Sequence, residues 1–181
     1  MPLKSNDYTK TERIHGGIYN MSPGGFDHAI VNSNIYQTVS SRLKGSLCLV
    51  FMENLNLLFE NDDYLVPDIL VLCDRKQITS KGYRGVPRFI VETLSPGTAK
   101  RDRDEKKEMY RAKGVEEYWI VDPRSKSVEI YYLEDGQYIL QDSLMLEEDK
   151  TDEHYNAETE ISLRAFPNVT MRLGEMFENT L

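Results

Sequence analysis

Long apolar runs are missing from this sequence. No stretch approaches the roughly 18 residues needed to span a bilayer, and the start, MPLKSNDYTKTERIHGG, lacks the apolar core of a signal peptide. Both absences point to the cytoplasm. Cysteine is scarce: Cys48 and Cys73 each stand alone in an apolar run, without the paired spacing of a zinc site or a disulfide framework. Two buried, reduced thiols are expected. Repeats, low-complexity tracts and a glycine-rich phosphate fingerprint are also absent. Positive charge is in deficit too, since the net charge of −8 has the wrong sign for a protein that coats nucleic acid.

What is present suits one compact domain over residues 1–181. A hydrophobic content of 40% and an aromatic content of 10% are spread along the chain and suffice for a core. The charge is polarised. Between Arg75 and Lys113 there are twelve Lys or Arg against five Asp or Glu. Glu134 to Glu160 holds ten acids against the single base Lys150. Such a basic window is either a phosphate-binding face or an ordinary helix with solvated charges.

Apolar spacing predicts an amphipathic helix over Asp27–Lys44, capped by Asp27 and ended by Gly45. Core strands are expected over Ser46–Met52, Tyr64–Cys73 and Phe89–Leu94, each short, apolar and bounded by polar or turn residues. Asp102 and Glu105 have capping-box spacing ahead of a helix over Arg103–Lys113, with Gly114 as its left-handed terminator. Tyr118–Val121 then reads as a strand, and Val128–Leu133 with Gln137–Leu140 as a hairpin. A short apolar piece spans Phe166–Leu173, with a last half-turn of helix over Gly174–Phe177. The order gives an α/β fold of mixed α+β type, a central mixed sheet flanked by helices.

Two carboxylates sit where charge is costly. Asp68 follows Pro67 and precedes an unbroken apolar run, and Glu92 lies inside FIVETL, sharing a face with Ile90 and Leu94. A buried carboxylate needs a partner, a set of hydrogen bonds or a cation. Two on neighbouring strands can converge on a hard divalent ion such as Mg²⁺, with Mn²⁺ as a substitute. Lys106 shares a helical face with Met109, Tyr110 and Lys113, so it points with the apolar side. There it would offset charge on a scissile phosphate. The bland readings are a buried Lys106–Glu92 ion pair that only fastens the helix, and an Asp68 that merely caps backbone amides after Pro67.

The segments VPDILVLCD and FIVETLSPGTAKRDRDEKKEMYRAKGVEEYWIVDPRSKSVEIYYL resemble the bacterial putative restriction endonuclease domain family of the PD-(D/E)XK nuclease superfamily. The likeness runs from about Glu12 to Phe177. It implies a restriction-endonuclease-like core, a catalytic set of Asp68, Glu92 and Lys106, and Mg²⁺ held by Asp68 and Glu92. The superfamily's usual lysine position is Leu94 here, and Lys106 matches the place of a lysine moved to the next helix. Where similar proteins read Asp-Gly-Glu this chain has His15, Gly16 and Gly17, so a third carboxylate would come from Glu12 or Glu53. His28 matches a family histidine, either structural or part of the site.

The function implied is Mg²⁺-dependent hydrolysis of DNA phosphodiesters by a metal-dependent endodeoxyribonuclease, with the basic 75–113 region on the phosphates. The alternative is a catalytically inert nuclease fold that binds nucleic acid or protein. A homodimer would address both DNA strands, and a third reading, a self-associating scaffold, draws on the Tyr131, Tyr132 hairpin as dimer surface. No membrane partner is expected.

Overall fold

The structure is a computed structural model that describes residues 10–21 and 24–181. Most of the N-terminal stretch read above for a signal peptide therefore lies outside the described residues. Its centre is a six-stranded mixed sheet in the order β12-β11-β10-β9-β6-β3. These strands are β3 (Leu49–Met52), β6 (Ile69–Leu72), β9 (Phe89–Thr93), β10 (Glu117–Asp122), β11 (Ser127–Glu134) and β12 (Gln137–Met145). Only β9 and β10 run parallel; the other neighbours are antiparallel. That parallel pair requires a crossover, supplied by the helical segment that carries Lys106.

One face of this sheet is covered by α1 (Phe26–Leu43), whose Val31, Ile35 and Val39 are wholly buried against Val71, Val91 and Trp119. Each such side chain contributes about 1.5–3 kcal/mol by leaving water. The ribbon of β13 (Glu160–Leu163) and β14 (Phe166–Arg172) and the short α4 (Leu173–Met176) complete that layer. The opposite face meets Met109 and Tyr110 of α3 (Lys107–Lys113). It also meets a second, smaller sheet in the order β2-β1-β5-β4-β8-β7. That sheet comprises β1 (Thr11–Ile14), β2 (Gly17–Asn20), β4 (Leu57–Leu58), β5 (Tyr64–Leu65), β7 (Ile78–Thr79) and β8 (Gly82–Tyr83).

Several expectations are revised. Tyr64–Cys73 is not one strand: β5 belongs to the small sheet and β6 to the large one. Pro67 stands at the break, where the missing N–H costs no ladder bond. β3 is an edge strand, half-exposed rather than covered on both faces. α1 begins at Phe26 behind Gly25, and Asp27 instead accepts the backbone N–H of Leu181.

The cysteine reading is overturned. Cys48 and Cys73 form a disulfide, and both are half-buried. The pairing of Leu49 with Leu72 carries the register one step further and sets the two cysteines opposite each other, with Cα atoms 4.0 Å apart. Nothing in a 25-residue separation announces this, because the register that creates it is tertiary. Disulfides are rare in reducing compartments, so the cysteines no longer support a cytoplasmic location. Among the described residues no helix is long and apolar enough to cross a membrane.

Glu117 of β10 is wholly buried and ties the β13–β14 turn to the sheet, accepting Trp119 Nε1–H at 2.9 Å and the Ala165 N–H at 3.0 Å. Burial outweighs these bonds and pushes its carboxyl up from 4.5 to about 7. A raised carboxyl disfavours the folded state once the unfolded chain ionises. Stability from this residue is therefore fully present below pH 4.5 and lost as pH rises through about 7. The loss is on the order of 3 kcal/mol, at about 1.4 kcal/mol per pKa unit. Urea midpoints for wild type and Glu117→Gln should converge or cross between pH 4.5 and 8; a constant gap between the two proteins would refute this.

Candidate active site

Three acids line up across the large sheet. Met52 pairs with Ile69 and Ile69 with Val91, so one further step sets Glu53 opposite Asp68 and Asp68 opposite Glu92. The Glu53 N–H donates to the Asp68 carbonyl at 2.9 Å, continuing the ladder. The row grades inward, from a Glu53 side chain 39% exposed, through Asp68 at 9%, to Glu92 at 3%.

Asp68 owes its place to the change of sheets. Immediately after the Pro67 break its Oδ2 accepts the Thr93 N–H at 2.7 Å, and His28 Nε2 lies 3.3 Å from the same oxygen. The backbone-capping role foreseen for Asp68 is thus present, but the amide comes from the neighbouring strand. Oδ1 accepts no hydrogen bond from the described residues.

Glu92 shares the face of Ile90 and Leu94, as the alternation predicts. Its Oε1 accepts from Tyr110 Oη at 2.5 Å and from Lys106 Nζ at 3.2 Å. Lys106 also lies 3.0 Å from Glu12 Oε1 and 3.1 Å from Asp102 Oδ1. The Asp102 contact is close but poorly aligned for a hydrogen bond, and that oxygen has no other partner. Glu12, Glu92, Asp102 and Lys106 are all at most 2% exposed. Glu12 further accepts the Val66 N–H at 3.0 Å, so β1 is tied to the same knot.

The helix differs from the expected one where it matters. Helical structure begins at α2 (Ala99–Arg101) and passes through a π-helical turn, Asp102–Lys106, before α3. Asp102 is therefore an interior residue and not an N-cap. The turn sets Asp102 and Lys106 together at i, i+4, and the Asp102 carbonyl accepts the Tyr118 hydroxyl at 2.9 Å. Such wide turns cluster at functional sites. Gly114 closes α3 in the left-handed conformation, as anticipated.

On the α1 side, Asn32 joins the pieces. It is fully buried, its Nδ2 donates to Glu53 Oε1 at 3.0 Å, and its Oδ1 accepts the Thr93 hydroxyl at 2.5 Å. His28 packs against Gly24, where a Cβ would fall 2.3 Å from Nδ1. One oxygen each from Glu53 and Asp68 and one ring nitrogen of His28 lie within 4.8 Å of one another, a spacing that can hold a metal ion. Asn32 and Thr93 went unnoticed in the sequence. The only available signal was an asparagine on the apolar face of α1, on the same side as His28.

Electrostatics follow from the imbalance. Burial first, then repulsion from Asp102, Asp68 and Glu12, holds Glu92 well above the usual carboxylate range despite Lys106. Asp102 is likewise raised by burial. Burial alone would lower Lys106, but Glu92, Asp102 and Glu12 raise it well above the usual lysine range. One ammonium cannot satisfy its three carboxylates. For His28, burial works against the charged form, yet the hydrogen bond and charge of Asp68 leave it raised.

Residues 1–171 match the Uma2 family model, described as "Putative restriction endonuclease". The chain belongs to this family. A Synechocystis protein (strain PCC 6803), the uncharacterized slr1290, is 28% identical over 134 residues, which is 72% of this chain and 70% of that protein. A crystal structure from Anabaena variabilis, titled a putative nuclease belonging to DUF820, superposes with a TM-score of 0.70. It is 20% identical, with 92% of this chain and 89% of that one covered, and at that identity the likeness concerns the fold alone.

Removing the ammonium would leave Glu12, Glu92 and Asp102 buried without their shared counter-charge. Lys106→Met should therefore destabilise the protein by about 3–5 kcal/mol, read from urea denaturation at neutral pH. A variant as stable as wild type would show that the cluster is not held by this charge.

Proposed function

We propose that the protein is a metal-dependent endonuclease that hydrolyses DNA phosphodiesters with Mg²⁺. The observation that carries this reading is a deficit of positive charge: Glu12, Glu92 and Asp102 are buried around the single ammonium of Lys106, and the buried Asp68 stands opposite Glu92 in register. An excess of buried carboxylate is costly unless a cation or a proton offsets it. The donor set fits a hard divalent ion, which takes carboxylate oxygen and keeps several waters.

Asp68 and Glu92 would hold the ion, being opposite each other in register, and Asp68 keeps one oxygen without a hydrogen bond. When bound, such an ion supplies Lewis acidity and lowers the pKa of its water. Lys106 enters this set as a positioning residue: with Tyr110 it pins Glu92 Oε1, leaving the orientation of that carboxylate fixed. Its 1% exposure suits action through Glu92 rather than direct contact with a phosphate.

DNA, a cytoplasmic location and a homodimer belong to the same proposal. Arg84 and Lys100 are candidates from the basic window for phosphate contacts, whereas Arg103 is paired with Glu129 at 2.8 Å. Arg75 and Lys113 already donate to backbone carbonyls of Leu47, Leu58 and Arg84. A second reading, an inert module, draws on the same knot: three carboxylates within 3.2 Å of Lys106 would also fasten the helix and β1 to the sheet without chemistry.

Incubation of supercoiled DNA with the protein should give Mg²⁺-dependent nicking or cutting, reduced at least 100-fold in Asp68→Ala and in Glu92→Ala variants with native circular dichroism. Calorimetric titration with Mg²⁺ should show binding that Glu92→Gln weakens. Cleavage that survives both substitutions would refute the assignment of Asp68 and Glu92, and no Mg²⁺ binding near neutral pH, or binding unaffected by Glu92→Gln, would favour the inert module.

A further inference from the structure

The acidic row does not end at the pair that would hold Mg²⁺. Beyond Asp68 it meets His28 and Glu53, which come from α1 and from the residue that follows β3. His28 Nε2 is 3.3 Å from Asp68 Oδ2, and Nδ1 is 3.9 Å from Glu53 Oε1. We propose that His28, Glu53 and Asp68 form a nitrogen-containing cation site that favours Mn²⁺ or a later first-row divalent ion over Mg²⁺. This rests on the metal-dependent reading above and specifies which ion the centre selects.

Three further observations support it. The Asp68 side chain is nine-tenths buried, yet its Oδ1 accepts no hydrogen bond from the described residues. Both carboxylates are held from behind: Asn32 Nδ2 donates to Glu53, and the Thr93 N–H donates to Asp68. Asn32 and Thr93 are themselves joined by a 2.5 Å hydrogen bond, so one buried network orients both acids. Outer groups of this kind commonly fix metal ligands. The imidazole is likewise placed, packed against Gly24 with the Asn32 amide 3.3 Å from Nδ1.

Ligand chemistry decides the ion. All-oxygen sets suit Mg²⁺, which dehydrates reluctantly, whereas an imidazole nitrogen adds affinity for first-row transition ions. A centre with His28 in reach therefore discriminates through that nitrogen, while Asp68 serves either ion.

Titration of the full chain with Mn²⁺ and with Mg²⁺ by calorimetry, together with pulsed electron paramagnetic resonance of bound Mn²⁺, tests this. The expected result is Mn²⁺ binding at least tenfold tighter than Mg²⁺, with a nitrogen coupling typical of imidazole. His28→Ala should remove the coupling and weaken Mn²⁺ on the order of 10–100-fold, with Mg²⁺ changed much less. Glu53→Gln should weaken Mn²⁺ and keep the coupling. Bound Mn²⁺ without nitrogen coupling, or unchanged Mn²⁺ affinity in folded His28→Ala, would overturn the inference and leave Mg²⁺-dependent cleavage standing. Absence of binding by either ion would overturn both.

Discussion

Lys106 is the charge on which the interior of this protein turns. Its ammonium is sealed from water among Glu12, Glu92 and Asp102, which come from β1, β9 and the π-helical turn. No two of these elements are neighbours in either sheet, so the ion cluster does what backbone pairing cannot and locks the small sheet, the large sheet and the crossover helix into one arrangement. Buried ion clusters are rarely the cheapest way to gain stability, since apolar residues of the same volume often do as well. Four ionisable groups at such a junction point to a requirement for charge there.

Geometry sharpens that argument. The acids are graded from the half-exposed Glu53 to the sealed Glu92, so the row leads from solvent to the ion cluster. Two protein layers reach it from opposite sides, α1 through His28 and Asn32, and the π-helical turn with α3 through Lys106 and Tyr110. Each layer binds a different carboxylate: Asn32 and His28 hold Glu53 and Asp68, while Lys106 and Tyr110 hold Glu92. A change in either layer therefore reaches the centre through a distinct oxygen, and the two acids of the proposed set are positioned by separate networks.

Much of this was legible in the sequence because the signal was local. FIVETL declares a covered strand with one misplaced acid, and that face assignment is realised with Glu92 beside Ile90 and Leu94. Helical periodicity turned Lys106 inward, where it lies. The hairpin of β11 and β12 followed from its Asp135–Gly136 turn, both residues of which have positive φ. What escaped detection depended on pairing between distant segments. The small sheet is built of strands of two to four residues, too short to show alternation. The disulfide, the row from Glu53 to Glu92 and the reach of Glu12 to Lys106 all follow from strand register, which no single segment encodes.

The capping-box spacing of Asp102 and Glu105 fails to start a helix for a different reason. Asp102 and Glu105 have the spacing of a helix start, and solvated helices do begin that way. Here Thr98 to Arg101 already turn as helix, so the free amides that a cap would satisfy are absent, and Asp102 is released to face inward. Once inside, it lies 3.1 Å from Lys106, which is also 3.0 Å from Glu12 and 3.2 Å from Glu92. The π-helical turn thus falls where three acids gather around one lysine, at the place where the chain keeps its excess of buried carboxylate.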